Sequence, residues 1–203
     1  MGEQAFYIAI LSSAVIAGTP ILYAALGELV TEKAGVTNLG VEGMMLIGAV
    51  SGFMAAIVTG NSWIGLMTAV LAGGVMGLIH ATLTVTLRAN QVVSGLALAL
   101  FGAGLSGYLG KAYIGIPVAE PFRAIALPVL GDIPFLGPVL FRHDVLVYLS
   151  WGLVLALWFF INRTRPGLFL QAIGENPGAA DSLGIHVFAL RYLYIIVGGM
   201  LCG

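Results

Sequence analysis

Charge is what this chain has least of. Of its 203 residues, 60% are hydrophobic and only 8% are Asp, Glu, Lys or Arg. Soluble domains carry about 25% charged residues. So little charge cannot clothe a globular surface for water, and lipid is the solvent the composition implies. The net charge of -1 offers no grip on phosphate backbones, so no nucleic-acid partner is expected. Cysteine is down to Cys202. It can close no internal disulfide, and with His80, His143 and His186 it makes no metal-ligand spacing. No metal and no other cofactor is expected. The first ten residues, MGEQAFYIAI, contain no Lys or Arg. The basic start of a secretory signal is missing, and the first apolar run is expected to be retained.

Catalytic signatures are missing too. There is no G-x-x-x-x-G-K-[ST] phosphate loop, no H-E-x-x-H, no G-x-S-x-G and no pair of aspartates within an apolar run. The chain has no nucleotide site of its own and is not read as an enzyme.

What the chain does have is hydrocarbon in long runs. Residues 6–29, 36–59, 63–87, 92–116 and 145–161 are each apolar enough to span a bilayer, and a sixth run starts near Leu190. The class is all-α, a polytopic membrane protein with about six transmembrane helices in one domain over residues 1–203. The chain is still apolar where it stops, at "YIIVGGMLCG". A half-span leaves carbonyls unpaired in hydrocarbon, so a longer protein is expected. Orientation follows the positive charges. Lys33, Arg88, Arg163, Arg165 and Arg191 fall on one side, and Lys111, Arg123 and Arg142 on the other. The richer side is placed in the cytoplasm and the N-terminus outside.

Two connections are long. The external one, residues 117–144, holds Pro117, Pro121, Pro128, Pro134 and Pro138. Repeated proline forbids a spanning helix. Its Ile, Leu and Phe still need burial, so it should pack on the outer face. It is either a stiff connector or a landing surface for an external partner. The cytoplasmic one, residues 162–189, contains "ENPGAADSLG". Asn176 is an N-cap, Pro177 suits the first helical position and Gly184 is a stop, so 177–183 should form about two turns of helix. By pattern alone it is an ordinary loop helix or a docking element.

The stretch "EKAGVTNLGVEGMMLIGAV" begins charged, turns polar and glycine-rich, and ends as hydrocarbon. With a helix start near Val36, Glu42 would lie about six residues, or ~9 Å, inside. A carboxylate there costs on the order of 2–3 kcal/mol. Gly35, Gly40 and Gly43 disfavour an unbroken helix, and transporters break helices where backbone must line a cavity. A kinked or re-entrant start to the second helix is expected, with Asn38, Gly40, Glu42 and Gly43 on a translocation path. The simpler reading is that Glu42 snorkels to the interface or pairs with Lys33. Glycines four apart, as in Gly48/Gly52, Gly73/Gly77 and Gly199/Gly203, are read as close helix contacts. His80, inside the third run, is read as a structural hydrogen bonder.

"EKAGVTNLGVEGMMLIGA" and "AIGENPGAADSLGI", with "NQVVSGLALALFGAGLSGYLG" and "DIPFLGPVLF", resemble the permease subunits of ATP-binding-cassette importers. The similar group handles branched-chain amino acids, simple sugars and nucleosides. The likeness is nearest to nucleoside-type permeases that work with basic-membrane-protein lipoproteins. It covers essentially the whole chain, although family members continue for several more helices. The resemblance implies a cytoplasmic ATPase, a second permease subunit and an external substrate-binding lipoprotein as partners, in a bacterial plasma membrane. It implies nucleosides as cargo, ahead of sugars and branched-chain amino acids. It also implies that Gly174, Glu175, Asn176, Pro177, Ala179, Ala180 and Gly184 belong to a coupling helix in a cleft of the ATPase, with Ala179 and Ala180 at the contact. The competing class is a self-sufficient carrier or channel. It would need acids deep in several spans, and inside the expected runs only Glu42 qualifies, with Glu28 and Lys111 near span ends.

Overall fold

The structure, a computed structural model, describes residues 3–117, 120–128 and 130–203. Val118, Ala119 and Val129 of the proline-rich connection lie outside the described residues. Among the described residues, five helical stretches are long and apolar enough to cross a membrane. They are α1 (Glu3–Lys33), α2 (Val41–Thr59), α3 (Ser62–Ala81, extended by a π turn over Thr82–Thr86), α4 (Gln91–Gly110) and, after the proline-rich connection, α6 (Val145–Arg163). A shorter apolar helix, α9 (Val187–Cys202), ends the chain.

The helix starts are written locally. Asn61 Oδ1 accepts the Trp63 N–H at the head of α3, and Asn90 Oδ1 accepts those of Val92 and Val93 at the head of α4. Asp144 Oδ1 does the same for Leu146 and Val147 on α6. Each cap satisfies donors that would be orphaned at the membrane boundary. Gly60, with φ of 68°, ends α2 in the left-handed conformation.

In the bundle, α3 lies between α2 and α9, α1 packs along α9, and α4 packs along α2. Small residues make this possible. A Cβ added to Gly73 would lie 2.7 Å from Gly203 Cα, and one added to Gly77 would lie 2.8 Å from the Ile195 carbonyl oxygen. A Cβ on Gly52 would meet the Gly65 carbonyl oxygen at 3.0 Å. The glycine spacings therefore act as backbone-to-backbone contacts. Met44, Ile47, Met76, Leu98 and Cys202 fill the core of α2, α3, α4 and α9. Outward, Ile10, Leu71, Leu100 and Leu155 are exposed, which lipid tolerates and water does not.

Among the described residues, the proline-rich connection 117–144 holds no helix long enough to span. Within it, β1 (Ile125–Ala126) pairs antiparallel with β2 (Arg142–His143), and α5 (Leu136–Leu140) packs on α1. Tyr148 ties the pair to α6: its hydroxyl accepts the His143 N–H and donates to the Ile125 carbonyl. Trp63 meets Phe122 edge to face at 5.1 Å. The burial expected of its apolar residues is partial. Val139 is buried, whereas Leu130, Ile133, Phe135 and Leu136 stay exposed.

Candidate functional site

Between α1 and α2 the backbone leaves the helix for residues 34–40, yet Ala34, Val36 and Asn38 are at most 2% exposed. Buried irregular backbone must find partners away from water. Here they come from four different helices. Glu28 Oε1, on α1, accepts the Asn38 N–H at 2.9 Å. Gln91 Oε1, on α4, accepts the Thr37 N–H at 2.9 Å. His80, on α3, reaches the Thr37 carbonyl through Nε2 at 3.3 Å and Ser94 Oγ through Nδ1 at 3.1 Å. Arg191, on α9, donates from Nε to the Ala34 carbonyl at 3.1 Å. The Thr37 oxygen can only accept, so Nε2 carries the proton. In the neutral ring Nδ1 then accepts from Ser94.

Asn38 is the hub of the turn. Its Oδ1 accepts the Gly40 N–H at 2.9 Å, and its Nδ2 points to Met44 Sδ at 3.4 Å. Gly40 and Gly43 are buried against α4. A Cβ on Gly40 would come within 3.0 Å of Leu98 Cβ, and one on Gly43 within 2.8 Å of Ala99 Cα. Of the four residues expected on a path, three are thus packed between α1, α2 and α4. The fourth, Glu42, is exposed. The expected depth of Glu42 is corrected. The helix begins at Val41 and not near Val36, so Glu42 sits in the first turn. There a carboxylate complements the positive helix end. Residues 34–40, where a kinked or re-entrant entry was expected, are the non-helical connection from α1, and α2 itself runs unbroken from Val41 to Thr59.

Glu28 reads from the sequence only as an acid near a span end. It is half-buried. Its Oε2 is buried without a hydrogen-bond partner among the described residues.

At the same end of the bundle the chain folds a second polar-rimmed element. Helix α7 (Arg165–Glu175), not anticipated from the sequence, is capped by Thr164 Oγ1, which accepts the Gly167 N–H. Helix α8 (Pro177–Ser182) follows, capped by Asn176 Oδ1 on the Ala179 N–H at 3.0 Å. Gly184 ends it with φ of 80°. Glu175, Asn176, Ala179 and Gly184 are exposed, and Leu183 at its tip is 81% exposed. Ala180 is a correction. The sequence reading set it beside Ala179 on the outer surface, but it is 2% exposed and packs with Val30, Ala34, Ile173 and Tyr194. A helix of two turns needs one side to hold it down, and Ala180 is on that side. Gly174 also faces inward: a Cβ there would collide with the Lys33 carbonyl.

The non-helical turn 34–40, tied to four helices, lies at the same end of the bundle as the short capped helix α8. The chain belongs to the family described as "Branched-chain amino acid transport system / permease component", matched over residues 10–203. It is 40% identical to the putative glucose ABC transporter permease protein TsgC13 of Haloferax volcanii, over 98% of this chain and 62% of that protein. It is 34% identical to the guanosine ABC transporter permease protein NupQ of Bacillus subtilis, over 96% of this chain and 64% of that protein. It is 32% identical to the nucleoside ABC transporter permease protein NupC of Lactococcus lactis, again over 96% and 64%. The chain thus spans less than two thirds of the length of these relatives. No solved structure matches it.

Proposed function

We propose that this chain is permease sequence of an ATP-driven importer, in which α8 couples a cytoplasmic ATPase to the membrane helices and the cargo is a nucleoside. The observation that carries the reading is α8 itself. It is capped at both ends, held to the bundle through Ala180, and offers Ala179 and Leu183 outward between the acids Glu175 and Asp181. A short stiff helix with an apolar tip and an acidic rim suits a socket with an apolar floor and basic walls.

The chain carries no phosphate loop, so ATP is bound by the partner. A second permease subunit completes the path, and an external lipoprotein delivers the cargo in a bacterial plasma membrane. Relatives named for guanosine, nucleosides and glucose support a cargo with a hydroxylated sugar ring. Nucleosides rank first, simple sugars second and branched-chain amino acids third. The test is uptake by the complete transporter in vesicles, with labelled guanosine, glucose and leucine in competition. ATP-dependent uptake of guanosine, blocked by other nucleosides, is expected. ATP-dependent uptake of glucose alone would move the cargo to sugars. Uptake without the ATPase would favour the self-sufficient carrier.

A further inference from the structure

The geometry points to Arg191 as the positioning residue that joins the coupling element to the buried turn, an inference that rests on the importer reading above. Its guanidinium bonds two carbonyls from different elements. Nε donates to Ala34, in the turn after α1, and Nη2 donates to Ile173, in the last turn of α7, each at 3.1 Å. Both acceptors sit at helix C-terminal ends, where carbonyls lack intrahelical partners and a cation is favoured. A planar fork can hold two such oxygens at once, which a single ammonium does with less directional control.

A second contact lies beside it. Gly35, with φ of 79°, and Gly174 meet backbone to backbone: a Cβ on Gly35 would fall 3.1 Å from Gly174 Cα. The end of α7 therefore rests on the turn, and Arg191 clamps the two together. Only Asn176 separates α7 from α8. In the other direction the turn runs from Ala34 to Asn38 and into α2. Displacement of α8 reaches the entry of α2 through this side chain and this glycine contact, beside the apolar packing of Ala180 with Ala34. Arg191 is half-buried and borders a cleft of about 460 Å³, shared with Thr84, Arg88, Asp181 and Phe188. The clamp has room to change partners.

The test uses the complete transporter in proteoliposomes, comparing the parent with Arg191→Gln and Arg191→Lys. Cargo imported per ATP hydrolysed is measured. A cysteine at the exposed position Thr37 is probed with a thiol reagent, with and without ATP and vanadate. Arg191→Gln is expected to keep the ATPase bound and hydrolysing, to lower the import-to-hydrolysis ratio at least tenfold, and to lose the ATP-dependent change at position 37. Arg191→Lys is expected to recover part of both. A merely structural Arg191 would lower yield or thermal stability with the ratio and the change at position 37 intact, and that result overturns the inference. Should Arg191→Gln not accumulate, the same two measurements on Arg191→Lys decide, and parental values overturn it. A parent that neither binds the ATPase nor imports would remove the importer reading itself. That outcome is read before any variant is compared.

Discussion

His80 Nε2 lies 3.3 Å from the carbonyl oxygen of Thr37, 43 residues earlier in the chain. His80 is wholly buried, and its other nitrogen meets Ser94. The ring therefore holds the non-helical turn against α3 and α4 at once. Replacing His80 with Phe keeps a ring of similar volume and removes both hydrogen bonds. The loss should be about 1–3 kcal/mol, the usual cost of leaving buried polar groups unpaired. A lower melting temperature in detergent checks it. An unchanged one would mean that the turn does not need this tether.

Glu28 makes a contrast between two substitutions. Gln retains an acceptor for the Asn38 N–H and removes the charge from a buried oxygen that lacks a partner among the described residues. Thermal stability should be kept or raised. Ala strands the Asn38 N–H and should cost about 1–3 kcal/mol. Equal melting temperatures for the two variants would show that the tether contributes nothing.

Glu42 is the test of the path reading. Its exposed first-turn position contributes only about 0.3–1 kcal/mol to the helix through the dipole. Glu42→Ala should therefore leave folding, assembly and basal ATP hydrolysis nearly intact while uptake by the complete transporter falls. Undiminished uptake would leave Glu42 with its helix-end role alone.

Two adjacent alanines should behave in opposite ways. Ala179 is exposed, so Ala179→Arg should cost the fold no more than about 0.5 kcal/mol. It should still prevent co-purification of the ATPase. Ala180 lies in the core with Val30 and Ile173, and Ala180→Arg would bury an unpaired charge, at about 3–5 kcal/mol. It should fail to accumulate. Normal ATPase association with Ala179→Arg would show that α8 is not the coupling element.

Orientation can be read by labelling. Single cysteines at Ala89 and Glu175, both exposed, should be shielded from an impermeant thiol reagent added outside intact cells, and one at Arg123 should react. Labelling at position 175 from outside would invert the assignment and remove the ATPase contact with it.

The elements that the chain announces in sequence are those decided by near neighbours. Apolar run length marks the spans, and Asn176 marks the start of α8, because a cap acts over two or three residues; Asn61, Asn90 and Asp144 cap their helices by the same local rule, seen only in the structure. The start of α2 was misplaced because the partners of residues 34–40 are Glu28, His80, Gln91 and Arg191. Three of these four lie far along the chain, and nothing local signals them. Ala179 and Ala180 look alike in sequence. Only the packing of α8 against α1, α7 and α9 turns one outward and the other inward. The role of Glu28 is hidden for a similar reason: a carboxylate near a span end reads as a boundary charge until Asn38 is found upon it.

The glycine contacts between α3 and α9 carry a mechanical consequence. Where Gly73 and Gly77 touch Gly199 and Gly203 with no side chain between them, the two helices have no pliable layer to shear. Side-chain interfaces slide by exchanging rotamers; bare backbones in contact have none to exchange. Together with α2, which meets Gly203 through Gly48, they form a keel that turns as one piece. Bending is left to a segment that lacks such seams: the N-terminal half of α1, where Gly18 has open space beside it.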